Sequence, residues 1–482
     1  MGGGEVAAGR GARRARHFWI IDVAAVLPGL LYVTGYVLAA TRSGDYYWSL
    51  ANGRWMMAHH GVMRHDPFSY TLAKHAIIAN EWLYDIWLAK SSEWLGAGGA
   101  VAAVAALSTL CAAWYFFTRG ARGWVLGTVV GVVGVVLAPL YAQGRAFGVS
   151  IGLAALELVV LAAARRRPWW LGVIAPMMVL WINVHPSALL GMVFLVGELV
   201  ASSQIRGRWG GRFFSEYSSH PRWLALTAVI SLLALGVTPW GWSTAWYDVG
   251  VVRSGEITNA IQEWRSPDFH SLGWMLILFV GVVVVVWAQR LRGPWLELLL
   301  GTLLLAGFVY SVRYVSYLVL IMGALVSWIW ATRKTDRERF VGMWSSVVWA
   351  LALSVGVASV ASGTGTRATN DFPLAGLHAA RQVKGHVLVE YEWGGVADLE
   401  GLPTFIDGRT DLFVTNGVLS QYEAIATLSH DPEKILGHWH IEAVLWSKET
   451  ALYEYLRSDP AWRVRWSSAH AVLFVRTTPS RE

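Results

Sequence analysis

Gly44-Asp45-Tyr46-Tyr47-Trp48-Ser49-Leu50, Gly53-Arg54-Trp55, His65-Asp66-Pro67-Phe68-Ser69-Tyr70-Thr71 and Asn80-Glu81-Trp82 make up one polar, aromatic-rich stretch that begins just after an apolar run at 19–40. A run of that length can cross a bilayer as a helix, which needs about 20 apolar residues. The stretch is therefore a long connector at a membrane surface, and it gathers acids, bases and aromatic rings in one place. Working outward, apolar runs recur near 98–117, 124–141, 146–164, 169–184, 187–203, 223–237, 272–288, 294–310, 314–331 and 341–361, which predicts about eleven transmembrane helices.

Composition agrees. Of the 482 residues, 55% are hydrophobic and only 15% charged, and the mean hydropathy is +0.43, well above that of soluble domains. The 29 Trp suit interfacial belts, where an apolar ring with a polar N–H sits at headgroup level. The basic N-terminus, Arg10 to His17, precedes a run too long for a signal peptide, so the first span is read as retained. The single Cys111 permits no intrachain disulfide.

Net charge is +7, but residues 362–482 hold 11 Lys/Arg and 15 Asp/Glu, so the excess lies in the apolar part. With the N-terminus in the cytoplasm, the inner connectors hold 19 Lys/Arg in 61 residues and the outer ones 9 in 103. Positive charge thus follows topology rather than nucleic-acid binding, and the tail falls outside. The expected division is a transmembrane domain at 1–361 with a long first outer loop at 42–97, a Ser/Gly/Thr linker at 362–371, and a small extracytoplasmic α/β domain at 372–482. In the tail, strand-like runs lie at 386–389, 404–406, 441–446 and 471–475, with helical patterns at 373–384, 418–429, 432–439 and 451–457. In the first outer loop, 81–94 reads as an amphipathic surface helix.

Every motif-bearing connector falls on the outer side. Asp45 suits a general base, and equally a helix cap after Gly44. Asp66-Pro67 reads as a turn. Glu81 is a second acid for the same cleft, or the first-turn acid of a helix. Arg145 and Arg313 each stand at the outer end of a span, where an arginine snorkels or clamps a phosphate. Asn183 and His185 share a tight outer turn, and Glu263 and Arg265 form a local pair or contact a sugar. Asp22, Glu157, Glu198 and Glu297 lie within or near spans, where acids are costly. No nucleotide fingerprint or nucleophile elbow is present, and His59-His60 and His438-Trp439-His440 lack zinc spacing.

Taken together, Asp45-Tyr46-Tyr47-Trp48, Asp66-Pro67-Phe68-Ser69, Glu81-Trp82-Leu83, Gln143-Gly144-Arg145, Trp181-Ile182-Asn183-Val184-His185, Thr238-Pro239-Trp240-Gly241, the run from Gln262 to Phe269, Arg313, Glu390-Tyr391-Glu392-Trp393-Gly394-Gly395 and Asp407-Gly408-Arg409-Thr410-Asp411-Leu412 resemble bacterial multi-pass proteins of the GT-C glycosyltransferase class, protein O-mannosyltransferases among them. The resemblance implies an enzyme of the bacterial inner membrane. It would move a sugar from a polyprenyl-phosphate-linked donor to a protein or glycan acceptor on the outer face. It implies Asp45 as base with Glu81 beside it, Arg145 or Arg313 at the donor phosphate, and Asp66, Asn183, His185, Glu263 and Arg265 around the substrates. The class's acidic metal signature is altered here, since Asp45 is followed by two tyrosines, so no cofactor is assigned and a divalent cation stays open. The alternative is a non-catalytic scaffold or lipid-linked-glycan binding protein on the same architecture.

Overall fold

The structure is a computed structural model, and it describes residues 3–40, 43–73, 75–202, 220–332 and 372–477. The membrane part comprises α1 (Gly3–Ala39), α2 (Gly44–His59), α3 (Trp82–Thr118), α4 (Gly123–Ala142), α5 (Phe147–Ala164), α6 (Ile174–Val184), α7 (Ala188–Ser202), α8 (Pro221–Ala234), α9 (Ser243–Arg253), α10 (Gly255–Ala260), α11 (Leu272–Arg290), α12 (Trp295–Tyr310) and α13 (Val315–Ala331). Among the described residues six helices are long and apolar enough to cross a membrane, and four more are apolar but shorter. Ten of the eleven expected spans fall on these helices; the run at 341–361 and the linker at 362–371 lie outside the described residues.

Small residues set the helix spacing. A Cβ on Gly127 of α4 would lie 2.4 Å from the carbonyl oxygen of Ala25 on α1, and one on Gly29 would lie 2.9 Å from Val130. Backbones approach this closely in membranes because packing, rather than water exclusion, drives helix association there. Three of the span acids are matched: Glu198 takes a fork from Arg165 at 2.7 and 2.8 Å, Glu297 meets Arg119 and the Tyr115 hydroxyl, and Asp22 accepts from the Gly123 N–H. Among the described residues both carboxyl oxygens of buried Glu157 lack a hydrogen-bond partner.

The first outer loop folds onto the bundle and the tail together. Tyr46, Leu50, Gly53 and Met56 form the buried face of α2, and a Cβ on Gly53 would lie 2.0 Å from the Asp85 carbonyl of α3, so only glycine fits. α3 breaks at Gly96 (φ 68°), which separates the expected surface helix from the span that follows.

In the tail, α14 (Leu374–Ala380), β1 (His386–Val389), α15 (Gly394–Leu399), α16 (Thr410–Val414), α17 (Val418–Thr427), α18 (Pro432–His438), β2 (Ile441–Ser447), α19 (Ala451–Ser458), β3 (Trp462–Ser467) and β4 (Ala471–Arg476) build one small sheet with flanking helices. Its strand order is β1-β2-β4-β3, with β1 and β2 parallel and the other pairs antiparallel. The expected strand at 404–406 is not in this sheet. Thr404 instead bridges Ser69 of the outer loop, and Leu72 and Tyr70 enter the tail's own core. The strand missed from sequence, β3, is an edge strand whose exposed Arg463 and Arg465 break up its apolar pattern.

Candidate active site

The site starts at the first turn of α2. Ser43, not Asp45, precedes the helix, and its hydroxyl donates to the Gln143 carbonyl oxygen at 2.9 Å. Asp45 does not cap. Its Oδ1 accepts from Trp48 Nε1 at 2.9 Å, and its Oδ2 accepts from Arg145 Nε at 2.6 Å and also from Arg145 Nη2. Arg145 stands on the turn between α4 and α5, where Gly144 adopts φ +74° and a Cβ would strike the Tyr46 ring. Its Nη1 donates to Glu263 Oε1 at 2.6 Å. One guanidinium thus bridges two carboxylates, and 30% of its side chain stays exposed. These flanking acids hold its protonated form, raising its pKa against the cost of burial.

Glu263 sits in a short helical turn, Gln262–Trp264. The Ser311 hydroxyl donates to its carbonyl oxygen at 2.9 Å and the Val312 N–H to that of Arg265 at 3.0 Å. That clamp brings Trp264 under Arg313, whose guanidinium carbon lies 4.8 Å from the ring centre. Among the described residues Arg313 has no carboxylate partner.

On the other side stands Glu81, at the start of α3. Burial pushes its carboxyl up to about 8, against the pull of Arg145 and Arg313, with Asp411 and Asp45 adding to the rise. His185 Nε2 lies 3.4 Å from Glu81 Oε1. The Ser187 N–H donates to His185 Nδ1 at 3.1 Å, which leaves the ring proton on Nε2, facing the glutamate. Burial, then Arg313 and Arg145, hold the His185 pKa well below its usual value. At neutral pH the pair is therefore a neutral acid beside a neutral imidazole.

The tail roofs the cluster. A Cβ on Gly395 would lie 2.5 Å from the Gly44 carbonyl oxygen, and one on Gly408 would lie 2.9 Å from Asp45 Oδ1. Asp411 accepts a hydrogen bond from the Tyr247 hydroxyl of α9. Next to it, Asn80 donates to Asp248 at 2.9 Å, and burial pushes the Asp248 carboxyl up to about 7.

Asp45, Glu81, Arg145, His185, Glu263 and Arg313 thus come together, although they lie on four separate connectors and two helix starts. Three other candidates are committed elsewhere. Asp66 is buried under the tail, where Arg409 reaches both it, at 2.8 Å, and Asp407, at 2.5 Å. Asn183 donates to the carbonyl oxygens of Val179 and Val237 and accepts from Trp82 Nε1. Arg265 turns to the Asn259 carbonyl oxygen. Trp48, Trp264, Asp411 and Tyr247 were not singled out from sequence; the first three stand inside quoted motifs, and Tyr247 carries no local signal. An apolar groove of about 500 Å³ opens beside the cluster, lined by Trp82, Pro176, Val179, Leu180, Val237 and Pro239 among others. Among the described residues no group of three or more His, Cys, Asp or Glu is placed to share a metal ion.

No protein-family model and no curated protein matches the chain. Solved structures do. The apo oligosaccharyltransferase of Archaeoglobus fulgidus superposes with a TM-score of 0.59 over 88% of this chain and 69% of its own, at 8% identity. ArnT of Cupriavidus metallidurans, bound to undecaprenyl phosphate, gives 0.56 over 95% of this chain and 97% of its own, at 15% identity. A further structure of the archaeal enzyme, AglB, holds an inhibitory peptide and a dolichol-phosphate, with 0.59 over 90% of this chain and 70% of its own, at 8% identity. As the motifs implied, the fold of this helical membrane protein is that of the GT-C glycosyltransferases.

Proposed function

We propose that this chain is a membrane glycosyltransferase that moves a sugar from a polyprenyl-phosphate-linked donor to an acceptor on the extracytoplasmic face. The observation that carries the reading is a carboxylate, Asp45, held by Arg145 under the tail, with a second arginine, Arg313, stacked on Trp264 beside Arg145's other partner, Glu263. Asp45 takes the proton of an acceptor hydroxyl, whose oxygen attacks the anomeric carbon. The bond from that carbon to the phosphate oxygen breaks, and polyprenyl phosphate leaves with inversion. Its charge is met by Arg313 and Arg145, cations already held in place by the fold. Neutral Glu81, paired with His185, stands beside that developing charge without repelling it. The groove beside Trp82 takes the first isoprene units of the lipid.

The same reading assigns eleven spans, a cytoplasmic N-terminus, a bacterial inner-membrane location and an extracytoplasmic tail beyond about residue 372, with a protein or glycan as acceptor. The test is incubation of the purified chain in nanodiscs with a panel of radiolabelled polyprenyl-phosphate sugars and native membrane extract. Label moves to an acceptor and free polyprenyl phosphate accumulates with wild type, and both fall sharply with Arg313→Ala. Lipid binding without transfer from any donor assigns the chain instead as a lipid-linked-glycan binding protein.

A further inference from the structure

We infer that Arg145 masks the base, and that the donor phosphate uncovers Asp45 by drawing this guanidinium away. The inference rests on the function proposed above and adds an order to it: donor first, then activation of the acceptor.

The geometry is that of a competition. Asp45 receives three N–H donors on its two oxygens, two from Arg145 and one from Trp48. A carboxylate so engaged has little lone-pair capacity left for an incoming hydroxyl proton. Arg145 is held by a second carboxylate as well, Glu263. Yet the bridge is not sealed, since the Arg145 and Glu263 side chains are 30% and 31% exposed. Arg313 offers a second cation with no carboxylate partner among the described residues, and it stacks on the residue that follows Glu263. Both arginines act on Glu81 and on His185, so they border the same space.

A phosphate entering at Arg313 meets Arg145 next. Phosphate oxygens match the guanidinium fork as well as a carboxylate does, and carry charge at the point of contact. Once Arg145 turns to phosphate, Asp45 keeps only its bond from Trp48 and its Oδ2 is open to the acceptor. Without donor the base stays covered, and water is not activated in its place.

Competition has a thermodynamic signature. If phosphate and Asp45 exclude each other from Arg145, removing the Asp45 charge must tighten phosphate binding. The experiment is binding of farnesyl phosphate to the full chain in detergent, read by calorimetry. Asp45→Asn is expected to bind about ten-fold more tightly than wild type, the size of one charge-assisted contact released. Glu263→Gln shifts affinity in the same direction by less, and carries the test should Asp45→Asn fail to fold by thermal melting. On an Arg145→Gln background the gain from Asp45→Asn disappears. Unchanged or weaker binding in both single variants overturns the masking, as does a gain that persists without Arg145, which reflects bulk charge. Absence of binding to folded wild type overturns the proposed function together with the inference, whereas binding that ignores Asp45 overturns the inference alone.

Discussion

Two arginines in this molecule are each shared by two carboxylates, and they do different work. Arg409 joins Asp66 of the first outer loop to Asp407 of the tail, and 9% of its side chain is exposed. Arg145 joins Asp45 to Glu263, and 30% is exposed. The first is a latch. Its partners are walled in by the Ser69–Thr404 bridge and by outer-loop residues inside the tail core, so nothing can enter to exchange with them. The second opens on a cleft where Arg313 has no carboxylate partner among the described residues, with a groove nearby. The same ion-pair arithmetic gives a structural bond where solvent is shut out and an exchangeable one where a ligand can reach it.

The contrast can be broken most forcefully at Arg409. Arg409→Ala leaves Asp66 and Asp407 buried without their cation, and should cost about 3–5 kcal/mol. Thermal melting and limited proteolysis are expected to show the tail loosened from the outer loop, with transfer lost as a consequence. Arg145→Ala separates the two roles. Transfer should fall by roughly 100-fold or more, while the melting temperature moves little, because a partly exposed pair contributes little to stability. Equal destabilisation by the two substitutions would erase the distinction.

A pH experiment sharpens it further. Glu81 ionises near 4.5 when free of its surroundings and near 8 in the fold. Between those values the folded chain holds a proton that the unfolded chain has released, so stability from this group falls as pH rises from about 4.5 to 8 and is level above. Glu81→Gln cannot lose that proton. Melting curves at pH 5, 6.5, 8 and 9 should therefore show wild type losing ground to Glu81→Gln up to about pH 8, then running parallel. A constant difference across the whole range would place Glu81 in a solvated setting. The smallest effect is expected at Trp48. Trp48→Phe removes one neutral donor from Asp45 and should change transfer by no more than about five-fold, near the worth of one hydrogen bond.

Much of this fold is legible in the sequence because membrane helices announce themselves. A bilayer-length apolar run has few other uses, and ten of the expected spans coincide with helices. The tail was harder. β3 is hard to read because an edge strand carries charge on its open side, and 404–406 reads as a sheet strand because Phe405 and Ile406 are apolar, although the segment docks on the outer loop instead. Within the candidate site, Arg145 and Arg313 are singled out by their position at the outer ends of spans, and Asp45 by the resemblance. What spacing could not supply was partnership. Asp66 reads as a turn residue that the resemblance places around the substrates, and nothing near it in sequence reveals that Arg409, more than 300 residues away, takes it into the latch. Asn183 looked like a polar ligand and is spent on Trp82 and two carbonyl groups. Hydrogen-bond saturation depends on the assembled fold, so local sequence carries no trace of it.

The most direct test of the central claim is sugar transfer by wild type and Asp45→Asn, side by side in nanodiscs, with a polyprenyl-phosphate sugar that wild type accepts. The account predicts transfer by wild type and its loss in Asp45→Asn, with folding retained and farnesyl phosphate bound more tightly. Undiminished transfer by Asp45→Asn would contradict the assignment of this cleft as the site of chemistry.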